Sequence, residues 1–379
     1  MFRRFNMSAP HIKFNEQDHP EFFKVLRKRV NAHFKGKNIS KYANFNMKFK
    51  TLFMLGLYFT PMALMGTGMI HSTWTMVLMW VLMGLGMSGI GLSVMHDANH
   101  GAYSKNQKVN DIVSFSLNFV GGYPINWRIQ HNVLHHSFTN IEGYDEDIEK
   151  GVMRFSPTQK RLGIFKFQIF YAPILYGILT IYWFLVKDFE QLVRYNKKEL
   201  LEAQGITLTR GLLTVVFHKI WYTGLTLILP MYMLNIVWWQ VLLGFLLMHF
   251  ISGMILALIF QPAHVVQETE FFVPKDGTVE NNWAIHQMKT TSNFANGSFI
   301  FSWLIGGLNY QIEHHLFPNI CHVHYRNIAP IVRETAKEFG VPYYHNKTFY
   351  NALVSHFTLL NKLGTGEYDK HLEKMNTAV

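Results

Sequence analysis

His96 and His100 lie four residues apart, and so do His131 and His135; His136 directly follows His135, and His315 directly follows His314. Positions i and i+4 share one face of an α-helix, so two imidazoles spaced in this way converge on one metal ion. The adjacent histidine lies about 100° further round the helix and reaches towards a second ion. His264, in Gln261-Pro262-Ala263-His264, is an eighth candidate. Any one of these histidines alone would read as a surface or hydrogen-bonded residue; their grouping carries the inference. The chain has 20 histidines and a single cysteine, Cys321. A disulfide framework and Cys-rich zinc or iron–sulfur sites are thereby excluded, which leaves histidine to supply any nitrogen-rich metal site. Imidazole suits iron, zinc, copper or nickel. Eight imidazoles exceed the four ligands of one tetrahedral zinc and fit two ions with open positions. Two irons would activate O2 to break an unactivated C–H bond, chemistry that no side chain performs alone and that zinc, lacking redox states, does not supply. Asp97, Asp145, Glu146, Asp147 and Glu313 stand beside the clusters as acceptors for the outer imidazole N–H groups.

The elements that must position these residues follow from the distribution of charge. The chain is 49% hydrophobic and only 16% charged, with a formal net charge of +11. Such a balance suits either nucleic acid or an anionic membrane surface. No Asp, Glu, Lys or Arg occurs from Thr51 through His96, and Lys219 is the only one from Gly211 through Gln267. Charges confined to blocks outside two apolar zones point to lipid and away from nucleic acid. A spanning helix needs about 20 apolar residues, which predicts spans over 51–70, 73–95, 211–234 and 237–260, arranged as two hairpins. The leading block carries Arg3, Arg4, Lys24, Arg27, Lys28 and further basic residues, placing the N-terminus in the cytoplasm by the positive-inside rule. A fifth apolar stretch, 165–186, contains Pro173 and Gly177 and is rich in aromatics. Crossing there would put the basic residues 187–210 outside and split the histidines between two sides, so it is expected to be interfacial or re-entrant. The expected organisation is an all-α integral-membrane protein. It has a cytoplasmic segment 1–50, a membrane domain 51–345 capped by a helical cytoplasmic layer that holds the metal site, and a C-terminal segment 346–379. No cleavable signal is expected. Both termini and the active site would face the cytoplasm of a bacterial inner membrane or of the endoplasmic reticulum.

His96-Asp97-Ala98-Asn99-His100, His131-Asn132-Val133-Leu134-His135-His136 and Gln311-Ile312-Glu313-His314-His315 resemble the three histidine boxes of the membrane fatty acid desaturases. The resemblance covers roughly residues 40–345 and extends to Asn309-Tyr310 and Leu316-Phe317-Pro318. It implies a di-iron centre with two iron ions and O2 as co-substrate. A glutamine at the head of the third box is similar to the front-end subgroup, which inserts a double bond between an existing one and the carboxyl end. In relatives such as stearoyl-CoA desaturase that position is a ligating histidine, and a further ligand follows the fourth span. The corresponding residues here are Gln311 and His264, and His286 is a candidate replacement for the missing imidazole. The His-Pro-Gly-Gly haem motif of a fused cytochrome b5 domain does not occur, so the resemblance implies a separate electron donor, a ferredoxin or a cytochrome b5 with its reductase. An acidic donor would be drawn to the basic face.

A fatty chain would run among the spans, where methionines provide adaptable packing, and its carrier would be CoA or a lipid. Trp127 and Arg128, and further along Arg154, Lys160 and Arg161, are candidates for a phosphate-bearing headgroup. Two other readings are open to the same residues. A hydroxylase returns oxygen to the carbon that lost hydrogen. A metal transporter or zinc-dependent receptor would place its ligands near the bilayer midplane, where only His249, with His218 and Lys219 nearer one end, interrupts the apolar runs.

Overall fold

The computed structural model describes residues 12–370; the first eleven residues, with Arg3 and Arg4, and the last nine lie outside the described residues. Helix predominates because a backbone in hydrocarbon must satisfy its own N–H and C=O groups. Among the described residues four helices are long and apolar enough to cross a membrane: Phe45–Gly66, Thr73–Asn99, Leu208–Met233 and Trp238–His264. The first begins earlier than its apolar run because the Asn44 side chain caps it, accepting from the Met47 N–H at 3.1 Å. The second and fourth continue past the apolar runs to Asn99 and His264, so His96 and His264 sit on helical extensions of the spans and His100 caps the second. The fifth apolar stretch is broken: helices Gly163–Gly177 and Leu179–Lys197 meet at a 59° bend.

The described residues fall into two compact units. One comprises Asn44–Ile129 and Leu175–Ala257. Its first two spans approach so closely that a Cβ on Gly86 would lie 2.6 Å from the Tyr58 amide nitrogen, the small-residue contact by which helices associate in lipid. Gly253 meets the carbonyls of Tyr176 and Gly177 in the same way.

The other unit comprises Ile12–Ala43, Gln130–Ile174 and the chain from Leu258. Its core is built from amphipathic helices: Phe22, Leu26, Val30 and Phe34, spaced by four along helix Phe22–Gly36, pack with Ile328 and Val332 of helix Tyr325–Glu338 and with Ile312 and Leu316. Ser292–Phe294 pairs in parallel with Tyr344–Asn346. That pairing holds Asn293, whose Oδ1 accepts from the Ile312 N–H at 2.9 Å and whose Nδ2 donates to Glu313 at 2.8 Å. The short helix Gln311–Leu316, carrying the third box, is thereby fixed in place.

Candidate metal centre

The second histidine box is wound as a π-helix up to His135, and His136 opens a short α-helical turn, His136–Phe138. Arg128–His135 is π-helical, a winding in which each residue bonds the one five positions on and which is frequent at functional sites. The wider turn alters the expected pairing. His136, five residues after His131, brings its Nε2 to 3.2 Å from His131 Nε2 and 2.9 Å from His314 Nε2. His135 joins a different group: ring nitrogens of His135, His264 and His315 lie within 4.8 Å of one another, all three residues buried. The i, i+4 pair His131 and His135 stays adjacent, with stacked rings whose centroids are 5.3 Å apart, while His135 also faces His264 and His315.

Each group is aimed by the nitrogens on its outer side. His264 Nδ1–H donates to the Thr290 carbonyl at 3.2 Å, and His315 Nδ1–H to Gln287 Oε1 at 2.8 Å. His135 Nδ1 is 3.2 Å from both Asp145 oxygens. His314 Nδ1 meets the Tyr325 hydroxyl at 3.1 Å. Holding the proton on Nδ1 turns the Nε2 lone pair inwards. For His264, fully buried, that Nε2 has no hydrogen-bond partner, an arrangement that costs about 1–3 kcal/mol unless something else accepts the lone pair. Cis ligands on a metal with bonds of about 2.1 Å stand about 3.0 Å apart, and the 2.9 and 3.2 Å separations among His131, His136 and His314 match. The donor set fits a metal ion.

The carboxylates divide by role. Asp145 also accepts from the Asn140 and Asp147 backbone N–H groups, at 2.9 and 3.0 Å. Asp147 stands 3.9 Å from His135 Nδ1 and accepts from Gln130 at 2.5 Å. Both face the outer side of the ring. Glu313 is turned instead to Asn293 and Tyr343, at 2.8 and 2.9 Å, and burial pushes its carboxyl up to about 7 against those hydrogen bonds. Gln311 is buried as the first residue of its helix. His286 lies outside both groups: its Nε2–H donates to the Thr139 carbonyl at 2.7 Å, its ring packs against Phe14 and Phe272, and burial lowers its pKa to about 4. Its neighbour Gln287 contributes to the site. Nothing in periodicity or residue type distinguishes Gln287, Thr290 or Tyr325 beforehand, because each acts through a contact distant in sequence.

In the unit that carries the first box, His96 and His100 have ring centroids 4.8 Å apart, as their spacing predicts. Asp97 Oδ1 is 3.8 Å from His96 Nδ1. Trp127 is buried with its ring edge-on to both histidines, at 5.5 and 5.6 Å. Arg128 reaches Asp111 at 3.7 Å. Arg154, a headgroup candidate in the sequence, is consumed internally: it is buried and donates to both Asp369 oxygens and to the carbonyls of Pro157, Gln159 and Leu363.

Helices of membrane-spanning length together with buried groups of inward-facing imidazoles define the class: a membrane protein with a histidine-rich candidate metal centre. Comparison with known proteins refines this. The fatty acid desaturase family model matches residues 72–347. The sn-1 linoleoyl-lipid 6-desaturase of Synechocystis sp. is 35% identical over 363 residues, covering 94% of this chain and 99% of that protein. The acyl-lipid (8-3)-desaturase of Physcomitrium patens is 35% identical over 363 residues, 94% of this chain and 74% of that protein. A second sn-1 linoleoyl-lipid 6-desaturase, from Arthrospira platensis, is 32% identical over 358 residues, 93% and 95% of the two chains. The chain belongs to the membrane fatty acid desaturase family, and is an oxidoreductase of that kind.

Proposed function

We propose that this protein inserts a cis double bond into an already unsaturated acyl chain carried on a lipid, between the existing unsaturation and the carboxyl end. The carrying observation is the pair of imidazole groups, in which the fold holds the outer nitrogens of His135, His264, His314 and His315. We assign His131, His136 and His314 to one iron and His135, His264 and His315 to the other. His96 and His100 are assigned to the same di-iron centre by their place in the first box. Gln311 adds a neutral, weaker amide donor at the head of the third box. Two irons supply, when bound, the activation of O2 needed to remove hydrogen from an unactivated carbon. The chain's own residues do the rest. Asp145, Gln287, Thr290 and Tyr325 orient the rings, Asp97 and Asp147 add negative charge behind them, and the surrounding apolar residues exclude water. Overall, two hydrogens leave adjacent carbons, and with two electrons and two protons they take one O2 to two waters.

The electrons come from a separate one-electron carrier, a ferredoxin or a cytochrome b5 served by a reductase. The relatives named for acyl-lipid and linoleoyl-lipid substrates support a lipid over CoA as carrier, and we assign Trp127 and Arg128 to its headgroup. The four helices act as two hairpins, the bent segment 163–197 as a re-entrant element, and the termini and centre face the cytoplasm, which the basic leading block supports. The test is expression in a host fed linoleate, with mass spectrometry of the lipids. A new double bond on the carboxyl side of the existing ones, about two irons per chain, and loss of product in His135→Ala are expected. A hydroxylated chain, or zinc as the only metal, overturns the reading.

A further inference from the structure

We propose that helix Phe22–Gly36 is the landing site of a small acidic one-electron carrier protein, and that Phe23 and Trp283 couple it electronically to His136. The inference rests on the metal centre proposed above.

Phe23 lies on the partly exposed side of this helix, its ring edge-on to Trp283 with centroids 5.4 Å apart. Trp283, itself partly exposed, donates its Nε1–H to the His136 carbonyl at 3.3 Å. Electron tunnelling decays steeply with distance, and faster across gaps than through bonds and close contacts. One ring contact and one hydrogen bond thus join the surface of the helix to a residue whose Nε2 sits in the imidazole group.

The charge on that surface suits an acidic partner. Arg27 stands one turn from Phe23, and Lys28 one turn from Lys24. Lys24 is partnered by Glu21 at 3.2 Å and Arg29 by Glu338 at 2.7 Å. Arg27, Lys28 and Lys35 are exposed and have no acidic partner among the described residues. Glu16 and Asp18 lie before the helix, and Asp18 is engaged by His19 and by the Asn282 N–H. A lipid surface is the other anionic occupant to consider, but a helix lying in a bilayer interface buries an apolar face in it. Here the apolar face, Phe22, Leu26, Val30 and Phe34, is already buried in the protein core, and no large exposed apolar side chain falls within the helix. Charge without an apolar anchor favours a soluble protein. Each encounter oxidises the carrier by one electron and reduces this protein by one. Two encounters supply the two electrons required per double bond.

The test uses the full chain in neutral phosphatidylcholine nanodiscs and a plant-type [2Fe–2S] ferredoxin as probe. The double variant Arg27→Glu/Lys28→Glu is expected to bind ferredoxin about tenfold more weakly, with a shallower salt dependence. In stopped-flow mixing with reduced ferredoxin, Trp283→Leu is expected to slow ferredoxin reoxidation about tenfold at unchanged affinity. Trp283→Phe, which keeps a ring, should restore most of the rate. Unchanged ferredoxin affinity in the charge-reversal variant overturns the landing site, as does loss confined to binding of phosphatidylglycerol vesicles. A wild-type reoxidation rate in Trp283→Leu overturns the route. Dithionite-reduced wild type given O2 and a linoleoyl lipid tests the metal reading separately: absence of product there defeats that reading, while the ferredoxin affinities still decide the landing site.

Discussion

Asp145 accepts from His135 Nδ1 and from two backbone amides, so it holds the proton on the Nδ1 side of that ring. An asparagine there offers an amide in place of a carboxylate and weakens the hold on the Nδ1 proton. Asp145→Asn is expected to lower iron affinity about 10- to 100-fold while the protein still inserts. Dialysis against a graded chelator series, followed by iron analysis, measures it. His264→Ala, which removes an inward donor, should lose iron at lower chelator concentration still. Iron retention equal to wild type in both would remove the assignment of these residues to the centre. The same scale explains why Glu313, adjacent to His314 in sequence, is not an equivalent of Asp145: successive residues on a helix face different ways, and Glu313 is directed to Tyr343 and Asn293.

The bent segment is held to the spans by polar contacts that the apolar sequence conceals. Lys219 donates to Asp188 at 2.5 Å and to the carbonyls of Gly121 and Trp183 at 2.6 and 3.3 Å. Asn126 donates to the Asp188 carbonyl at 2.8 Å. His249 bonds the Tyr222 hydroxyl at 2.9 Å and Thr180 Oγ1 at 3.0 Å, and Thr180 donates to the His249 carbonyl at 2.8 Å. A lone charge in an apolar helix is costly unless it is paired. Lys219→Met leaves the fully buried Asp188 carboxylate without a counter-charge and is expected to destabilise the protein by about 3–5 kcal/mol. Lys219→Met/Asp188→Asn, with neither charge, should recover much of the loss. Thermal melting in detergent compares them, and a single variant that melts with the wild type shows that the pair is not holding the segment.

Across the whole molecule, two buried histidines away from the imidazole groups set a pH dependence. His286 donates to the Thr139 carbonyl and His356 to the Val265 carbonyl, and burial lowers the pKa of each to about 4. An unfolded histidine titrates near about 6.5. As pH falls below that value the unfolded chain takes up protons that the folded chain refuses, so stability is fully present above it and declines towards about 4. Urea unfolding of the solubilised protein is expected to show lower stability at pH 5 than at pH 7.5. The decline should be smaller in His356→Gln. An equal decline in the two proteins would show that His356 is not one of the groups responsible.

What could be read from the sequence is what local chemistry encodes. Apolar runs of spanning length located all four long helices to within a few residues at most ends, because lipid imposes both length and composition on a helix. The six-residue error at Asn44 arose because a cap, not hydropathy, starts that helix. Histidine clusters marked the candidate centre because that residue type, grouped, has few other uses. Lys219 and His249 stood out as anomalies without their partners. Only the tertiary structure decided how the histidines divide. His136 meets His314 across 178 residues, and π winding, which leaves no trace in residue spacing, brings His136 as well as His135 beside His131. The same holds for the partners of the outer nitrogens: Gln287, Thr290 and Tyr325 are ordinary residues whose roles come from long-range packing, and periodicity along a chain carries no information about what stands across from it.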